Sequence, residues 1–131
     1  MLAYPQPNIT VMCFTIANDT DTQIGKLALY TGAAGIHPEK TLPIVLDYGT
    51  SNEDNLRDPL YLGLRQKRVS PEVAQEFMDE FMEAVADVYP EMLVQFEDFE
   101  TDKAFGYLER YKQRRCFNDD IQGTGAVVLA G

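Results

Sequence analysis

Met92-Leu93-Val94-Gln95-Phe96, followed directly by Glu97-Asp98-Phe99, is the stretch (residues 92–99) that decides the fold of this chain. Its first five residues have the pattern of a buried β-strand, and acidic residues stand where that strand is predicted to end. A second acidic pair, Asp119-Asp120, follows a short segment around Cys116-Phe117 in the same way. Because the carboxyl ends of parallel strands meet at one edge of a sheet, the two clusters predict a ligand site at that edge.

Strands and helices are predicted to alternate along the chain, which indicates an α/β fold with a parallel sheet and flanking helices. No linker divides residues 1–131, so we expect a single domain. The strands are predicted at Ile9–Ile16, Leu42–Leu46 and Met92–Phe96, and the helices from Gln23, from Pro71, after Thr101 and from Thr124 to Ala130.

Several finer expectations follow from hydrophobic spacing. The run 42–46 is expected to be buried on both faces, and residues 59–64 to form a short helix. The helix from Pro71 has Ser70 as its cap. Its apolar stripe is Val73, Phe77, Phe81 and Val85. Thr101 can cap the following helix, whose inner face is expected to be Phe105, Leu108 and Tyr111. The last helix is apolar nearly all round, which predicts either burial or cover by another domain.

Composition narrows the classes of function. The 131 residues, 45% of them hydrophobic, are enough for a core. Eleven basic and 21 acidic side chains give a formal charge of −10, which disfavours nucleic acids and anionic membranes as partners. Two isolated cysteines indicate a reducing compartment. No targeting segment or membrane-spanning run is visible, so we expect an intracellular protein of the cytoplasm or the mitochondrial matrix.

The acidic clusters predict a divalent-metal site. Glu97 and Asp98 are neighbours that would point to opposite faces of a regular strand, but at a strand end both can approach one ion. Asp120 completes a set of three carboxylates, which are the oxygen ligands that Mg²⁺ or Mn²⁺ prefers. The alternative interpretation is that these acids are helix caps and solvated loop residues. The apolar residues on both sides of each cluster weigh against that alternative.

Other positions carry weaker signals. Lys26 stands early in the first helix, and beside a bound cation its pKa would fall, so that it could act as a general base. Most helical lysines are solvated instead. Gly123-Thr124-Gly125 opens the last helix, where backbone N–H groups can meet an anion, but the spacing is not that of a dinucleotide motif. His37 precedes Pro38 and indicates a loop or turn.

With these residues in place, the chain resembles the malic enzymes and the related malolactic enzymes. The similarity is nearly continuous from about Ile24 to the end of the chain. It runs through Gly25-Lys26-Leu27-Ala28-Leu29-Tyr30-Thr31, Leu42-Pro43-Ile44-Val45-Leu46-Asp47, residues 58–68, Gln95-Phe96-Glu97-Asp98-Phe99 and Phe117-Asn118-Asp119-Asp120-Ile121-Gln122-Gly123-Thr124.

The resemblance implies oxidative decarboxylation of malate to pyruvate and CO₂, with NAD or NADP as hydride acceptor and Mg²⁺ or Mn²⁺ bound. It implies that Glu97, Asp98 and Asp120 are metal ligands. It further implies that Lys26 takes the proton of the C2 hydroxyl, that Asp119 is its partner, and that Thr124 lies near the nicotinamide. Full-length members of the family are expected to be homo-oligomers.

The chain also departs from the family pattern. An Arg- and Gly-rich segment, whose arginine holds the malate carboxylate, is usual before the position of Lys26, and Ala17–Gln23 stands there instead. Thr101 occupies a position where an asparagine near the cofactor is usual. The proton-donating tyrosine is expected upstream of Met1, and the NAD(P)-binding domain with its asparagines downstream of Gly131. We therefore expect an incomplete N-terminal domain that is inactive alone.

Three alternatives remain open at this stage. The chain could be a non-catalytic fragment that binds a divalent ion or pairs with a full-length homologue through its last helix. The family's malolactic reaction is a second alternative. Metal-dependent phosphoryl transfer is disfavoured, because the sequence has no phosphate-cradling loop or arginine cluster.

Overall fold

Four strands and five α-helices alternate in the computed structural model of the chain, which describes residues 10–15, 20–99 and 101–131. Two short turns of other helix types join them: a 3₁₀ helix at Pro38–Lys40 and a π-helix at Asp119–Gly123. In chain order the elements are β1 (Thr10–Thr15), α1 (Thr20–Gly32), β2 (Thr41–Leu46), α2 (Glu53–Arg57), α3 (Pro71–Val88), β3 (Leu93–Glu97), α4 (Thr101–Arg110), β4 (Cys116–Asn118) and α5 (Thr124–Ala130).

The strands form one parallel sheet in the order β2-β1-β3-β4, which confirms the predicted α/β class. In the centre of the sheet, Cys13 pairs with Ile44 on one side and with Phe96 on the other. Phe96 in turn pairs with Asn118 of β4. All four strands run in the same direction, so the acidic residues that follow β3 and β4 meet at one edge.

Side chains of β3 alternate between two environments. Val94 and Phe96 are buried in the hydrophobic core, where they meet residues of α3 and α4. Gln95 and Glu97 are also buried, at 4% and 3% exposure, but their side chains contact α1. The period of two in a strand therefore separates an apolar face from a polar face within five residues. The polar face is the one that carries the site described below.

A hydrogen-bonded cluster ties α3 to α4. Arg110 donates from Nε and Nη2 to the two oxygens of Asp79, at 2.6 and 2.5 Å. The Tyr111 hydroxyl donates to Asp79 Oδ1 at 2.7 Å, and Gln75 Nε2 donates to the Tyr111 hydroxyl at 3.0 Å. This bidentate arrangement fixes the relative position of the two helices on the core face of β3.

The loop after β2 is organised by Asp47 and Gly49. The two oxygens of Asp47 accept the backbone N–H groups of Gly49 and Leu64, at 2.8 and 2.7 Å. Gly49 has a φ of +80°, and a Cβ at this position would lie 2.7 Å from the carbonyl oxygen of Gln66. Only glycine fits both the left-handed backbone and this close approach of two loops.

Two of the finer predictions about this region are wrong. The helix lies at Glu53–Arg57, capped by Asn52, and not at residues 59–64. In residues 59–64, aspartate side chains accept backbone N–H groups that would otherwise make helical hydrogen bonds. Asp58 accepts the N–H of Leu60, and Asp47 accepts the N–H of Leu64. The run 42–46 is not buried on both faces, because β2 is an edge strand: Pro43 is exposed and Val45 is 39% exposed.

The helices at 71 and 101 are confirmed, but their buried faces are displaced from the predicted ones. In α3 the Ser70 cap is present, Phe77 is 47% exposed and the buried residues are Met78, Met82 and Val85. In α4 Phe105 is 56% exposed, while the rings of Tyr107 and Tyr111 pack against Phe96 at centroid distances of 6.0 and 6.1 Å. Hydrophobic spacing alone predicted that Phe105 would be buried. The two tyrosines are buried instead, because a tyrosine ring can be buried when its hydroxyl is hydrogen-bonded. The predicted cap by Thr101 depends on a side chain that lies outside the described part of the structure.

The last helix leaves its apolar residues exposed in this chain. Val127, Val128 and Leu129 are 73%, 75% and 89% exposed. Of the two predicted situations for this segment, burial within the chain is therefore the wrong one. Within the described residues, no helix has both the length and the apolar character needed to cross a membrane.

Candidate metal centre

Helix α1 places two functional side chains over the end of β3. Lys26 and Tyr30 are four residues apart, so they lie on the same face of the helix, one turn apart. Lys26 Nζ donates to Glu97 Oε1 at 2.5 Å and to Asp98 Oδ1 at 2.8 Å. The Tyr30 hydroxyl donates to the other oxygen of Glu97, Oε2, at 2.9 Å. The polar edge of the sheet is thus closed by α1.

Glu97 and Asp98 converge because the backbone turns sharply between them. Asp98 has a φ of +59°, the left-handed conformation that aspartate adopts more readily than most residues. This turn ends β3 and brings both carboxylates to the same ammonium group of Lys26. The prediction that neighbouring acids could approach one ion at a strand end is consistent with this geometry.

The second acidic cluster lies on the short π-helix that follows β4 (Asp119–Gly123). Asn118 caps this turn by accepting the N–H of Ile121 at 3.0 Å, and its own N–H donates to Gln122 Oε1 at 2.9 Å. Asp120 then reaches back, and its Oδ2 accepts the backbone N–H of Asp98 at 2.8 Å. One oxygen each from Glu97, Asp98 and Asp120 lies within 4.8 Å of the others.

The donor set fits a hard divalent cation. Its members are carboxylate oxygens, without thiol or imidazole among them, and such sets suit Mg²⁺ or Mn²⁺ rather than zinc or copper. Glu97 is almost fully buried, so its negative charge requires a cationic partner. In the structure Lys26 supplies that positive charge.

Electrostatics at the site raise the pKa of several groups. Partial burial acts to lower the pKa of Lys26, but its hydrogen bonds to Asp98 and Glu97 and their negative charges outweigh burial, so the pKa lies above its ordinary value. This direction is opposite to the one expected beside a bound metal ion. Burial and then the charge of Glu97 raise the pKa of both Asp119 and Asp120. Burial and the hydrogen bond to Glu97 likewise raise the pKa of Tyr30.

Asp119 and Thr124 also lie in this region. Asp119 is half-buried and interacts with Glu97, Lys26 and Tyr30. Gly123 leaves room for its carboxylate, since a Cβ there would lie 2.2 Å from Asp119 Oδ1. Thr124 is exposed in the first turn of α5, and its N–H donates to the carbonyl of Asp119. Lys26, Glu97, Asp98, Asp119 and Asp120 thus lie together at one end of the sheet, and Thr124 follows directly in α5. His37 caps the 3₁₀ helix before β2, away from this group.

Two residues at the site had no predicted role. Gln95 Nε2 donates to the Tyr30 hydroxyl at 2.6 Å and to Glu97 Oε2 at 3.0 Å, so Gln95 and Tyr30 both hold Glu97. A signal for each was present in the sequence. Gln95 shares the strand face of Glu97 at a spacing of two, and Tyr30 shares the helix face of Lys26 at a spacing of four.

Comparison with known proteins agrees with the architecture. Residues 17–112 match the family model of the malic enzyme N-terminal domain. The chain is 52% identical over 116 residues to the NADP-dependent malic enzyme of Sus scrofa, covering 87% of this chain and 21% of that protein. It is 56% identical over 109 residues to the NAD-dependent malic enzyme 2, mitochondrial, of Arabidopsis thaliana, covering 82% and 18%.

The NADP-dependent malic enzyme of Homo sapiens is similar to the same degree, 52% over 116 residues, with 87% of this chain and 20% of that protein covered. The chain thus spans about one-fifth of the length of these relatives. Both the family match and the level of identity lead to the same conclusion: this chain belongs to the malic enzyme family, within its N-terminal domain.

Proposed function

We propose that this chain supplies the metal-binding half of a malic enzyme active site, which oxidatively decarboxylates malate to pyruvate and CO₂ with NAD or NADP. The observation that carries the proposal is the convergence of Glu97, Asp98 and Asp120 on one point beside Lys26. Membership of the malic enzyme family supplies the reaction class.

In this proposal Glu97, Asp98 and Asp120 hold Mg²⁺ or Mn²⁺. When held there, such an ion would supply Lewis-acid chemistry at the C2 oxygen of malate, where negative charge develops. The protein contributes a rigid edge, because the backbone turn at Asp98 and its bond to Asp120 hold the carboxylates together. Burial of Glu97 strengthens the field that this group exerts on a cation.

Lys26 is the proposed base for the C2 hydroxyl of malate, with Asp119 as its partner. The contacts that raise the pKa of Lys26 come from Glu97 and Asp98, whereas its burial acts in the opposite direction. A cation held by those two carboxylates would compete with the ammonium group for their oxygens, and its positive charge, together with burial, would favour the neutral amine that can accept a proton. Asp119 lies close enough to Lys26 for their charges to interact.

The remaining parts of the active site are proposed to come from sequence beyond this segment, since the chain matches only 21% and 18% of the length of two relatives. We place NAD or NADP in a further domain, with Thr124 near the nicotinamide, and we expect the 131 residues alone to show no turnover. A homo-oligomer that acts in the cytoplasm or the mitochondrial matrix is the proposed working form. Two relatives that are named as mitochondrial malic enzymes support the mitochondrial matrix.

A chimaera tests this function directly. Residues 24–124 of this chain would replace the matching residues of the Sus scrofa enzyme, and NADPH formation from malate with Mn²⁺ would be measured. Activity is expected, and Lys26→Ala or Asp119→Asn should lower kcat at least about a hundredfold. Lys112→Ala is the matched control, because that lysine is 58% exposed and pairs only with its helix neighbour Glu109 in the described contacts.

The outcomes separate the alternatives. A folded chimaera that binds Mn²⁺ but forms no NADPH would contradict the catalytic proposal and favour a metal-binding or oligomerisation role. The exposed apolar residues of α5 are the observation that favours such a pairing role. Lactate as product, in place of pyruvate, would identify the malolactic reaction.

A further inference from the structure

The two oxygens of Glu97 have different partners. Oε2 accepts hydrogen bonds from the Tyr30 hydroxyl at 2.9 Å and from Gln95 Nε2 at 3.0 Å. Oε1 is bound at 2.5 Å by Lys26, the cation of the site. Neutral donors therefore occupy one oxygen, and the positive charge meets the other, while Asp119 also interacts with Glu97 and Tyr30.

The neutral donors are held firmly in place. Gln95 lies on the same strand, two residues before Glu97, and is 4% exposed. Its amide donates to both Glu97 and the Tyr30 hydroxyl, so the three polar groups form a closed triangle. Glu97 itself is 3% exposed, so an Oε2 without these partners would be a buried oxygen without water. The triangle thus fixes the orientation of the carboxylate.

We propose that Tyr30 and Gln95 are positioning residues that reserve one oxygen of Glu97, so that this carboxylate meets a divalent cation through Oε1 alone. The inference rests on the metal site of the proposed function. Binding through one oxygen suits the compact octahedral shell of Mg²⁺ or Mn²⁺, whereas Ca²⁺ readily takes a carboxylate through both oxygens. The triangle therefore discriminates against Ca²⁺.

The same pattern recurs on the other face of the sheet and provides matched controls. There the Tyr111 hydroxyl donates to Asp79 and accepts from Gln75, as Tyr30 does with Glu97 and Gln95. Tyr111→Phe and Gln75→Leu remove equivalent hydrogen bonds at a carboxylate that lies outside the proposed ligand set. These two control variants therefore show how the loss of such a hydrogen bond affects the stability of the fold when the proposed metal ligands are untouched.

The experiment measures Mn²⁺ and Ca²⁺ affinities of the 131-residue chain by calorimetry, with thermal melts of each variant. Tyr30→Phe and Gln95→Leu should each weaken Mn²⁺ binding about tenfold and lower the ratio of Mn²⁺ to Ca²⁺ affinity. Tyr111→Phe and Gln75→Leu should leave both affinities within about twofold of the parent chain. A purely structural role for Tyr30 would lower the melting temperature without changing the ion ratio.

An unchanged ion ratio in folded Tyr30→Phe and Gln95→Leu would overturn the inference while leaving the metal site intact. Loss of the fold in these two variants, but not in the controls, would also overturn it, because the triangle would then act in folding. If the folded parent chain bound no Mn²⁺, the metal site of the proposed function would itself be wrong.

Discussion

At the residue scale, Lys26 and the proposed divalent cation would compete for the carboxylate oxygens of Glu97 and Asp98. The ammonium group binds Glu97 Oε1 and Asp98 Oδ1, and both residues belong to the proposed ligand set. With 21% of its side chain exposed, Lys26 is partly shielded from water, so its charge acts strongly at this short range. An ion that takes these oxygens must therefore displace the lysine.

Lys26→Met should strengthen Mn²⁺ binding about tenfold, on the order of 1.4 kcal/mol, because the competing positive charge is removed. Without Mn²⁺ the variant should be less stable than the parent chain, since Glu97 loses its buried charge partner. Calorimetry and thermal melts with and without Mn²⁺ check both effects. Lys112→Met serves as the exposed control, and equal or weaker Mn²⁺ binding by Lys26→Met would contradict the competition.

Gly123→Ala should move the carboxylate of Asp119 without disturbing the backbone. Gly123 has helical φ and ψ of −66° and −49°, which alanine adopts freely, but its Cβ would lie 2.2 Å from Asp119 Oδ1. Burial and then the charge of Glu97 raise the pKa of Asp119, so moving its carboxylate away from Glu97 and towards solvent should lower that pKa towards its ordinary value. A ¹³C NMR titration measures this pKa. Gly125→Ala, where no atom lies within 4 Å, is the control, and an unchanged Asp119 pKa in the first variant would refute the contact.

At the scale of elements, the loop after β2 depends on one glycine. Gly49→Ala forces a side chain into a left-handed backbone and against the carbonyl oxygens of Gln66 and Lys67. We expect a loss of about 2 kcal/mol or more in the free energy of unfolding, measured by urea denaturation. Gly25→Ala, inside α1 with open space around it, should instead be neutral or stabilising by up to about 1 kcal/mol. Similar losses in both variants would show that the close approach is absent.

The bond between α3 and α4 should depend on pH. The Arg110 guanidinium holds the pKa of Asp79 below its ordinary value, even though burial acts in the opposite direction. A pKa that is lower in the folded than in the unfolded state adds stability above the unfolded value, and this stability is lost as the pH falls through the folded one.

Asp79→Asn should therefore cost about 1 kcal/mol at pH 7, an estimate that allows for the solvent exposure of the pair. The difference from the parent chain should shrink as the pH falls through the lowered pKa of Asp79, because Asp79 itself then becomes neutral. Urea unfolding at pH 7 and at a series of acidic pH values measures this difference. A difference that stayed constant with pH would mean that the charge of Asp79 does not stabilise the fold.

Local sequence patterns predicted most helices and strands, but not which of them pack against each other. The strand that ends at Glu97 and the helix that Ser70 caps are predicted from spacing and caps within a few residues, and both are present. That β2 is an edge strand depends on pairing between distant segments, which spacing does not encode. The roles of Tyr30 and Gln95 depend on a contact between α1 and β3, so they become visible only when both elements are placed.

At the scale of the whole molecule, negative charge is concentrated at one edge of the sheet. The formal charge of the chain is −10, and the carboxylates of Glu97, Asp98, Asp119 and Asp120 lie around the ammonium group of Lys26. Burial and then the charge of Glu97 raise the pKa of Asp119 and Asp120, so keeping these carboxylates charged at this edge costs energy. A divalent cation would offset this cost more fully than a single lysine. The fold thus holds together a group of charges that favours metal binding.

Calorimetric titration of Mn²⁺ into the 131-residue chain measures whether this edge of the sheet binds a divalent cation. The parent chain should bind one Mn²⁺, and the double variant Glu97→Gln, Asp120→Asn should lose that binding while keeping its fold by circular dichroism. A folded parent chain that binds no Mn²⁺, or a double variant that binds Mn²⁺ equally well, would show that these carboxylates do not form the proposed metal site.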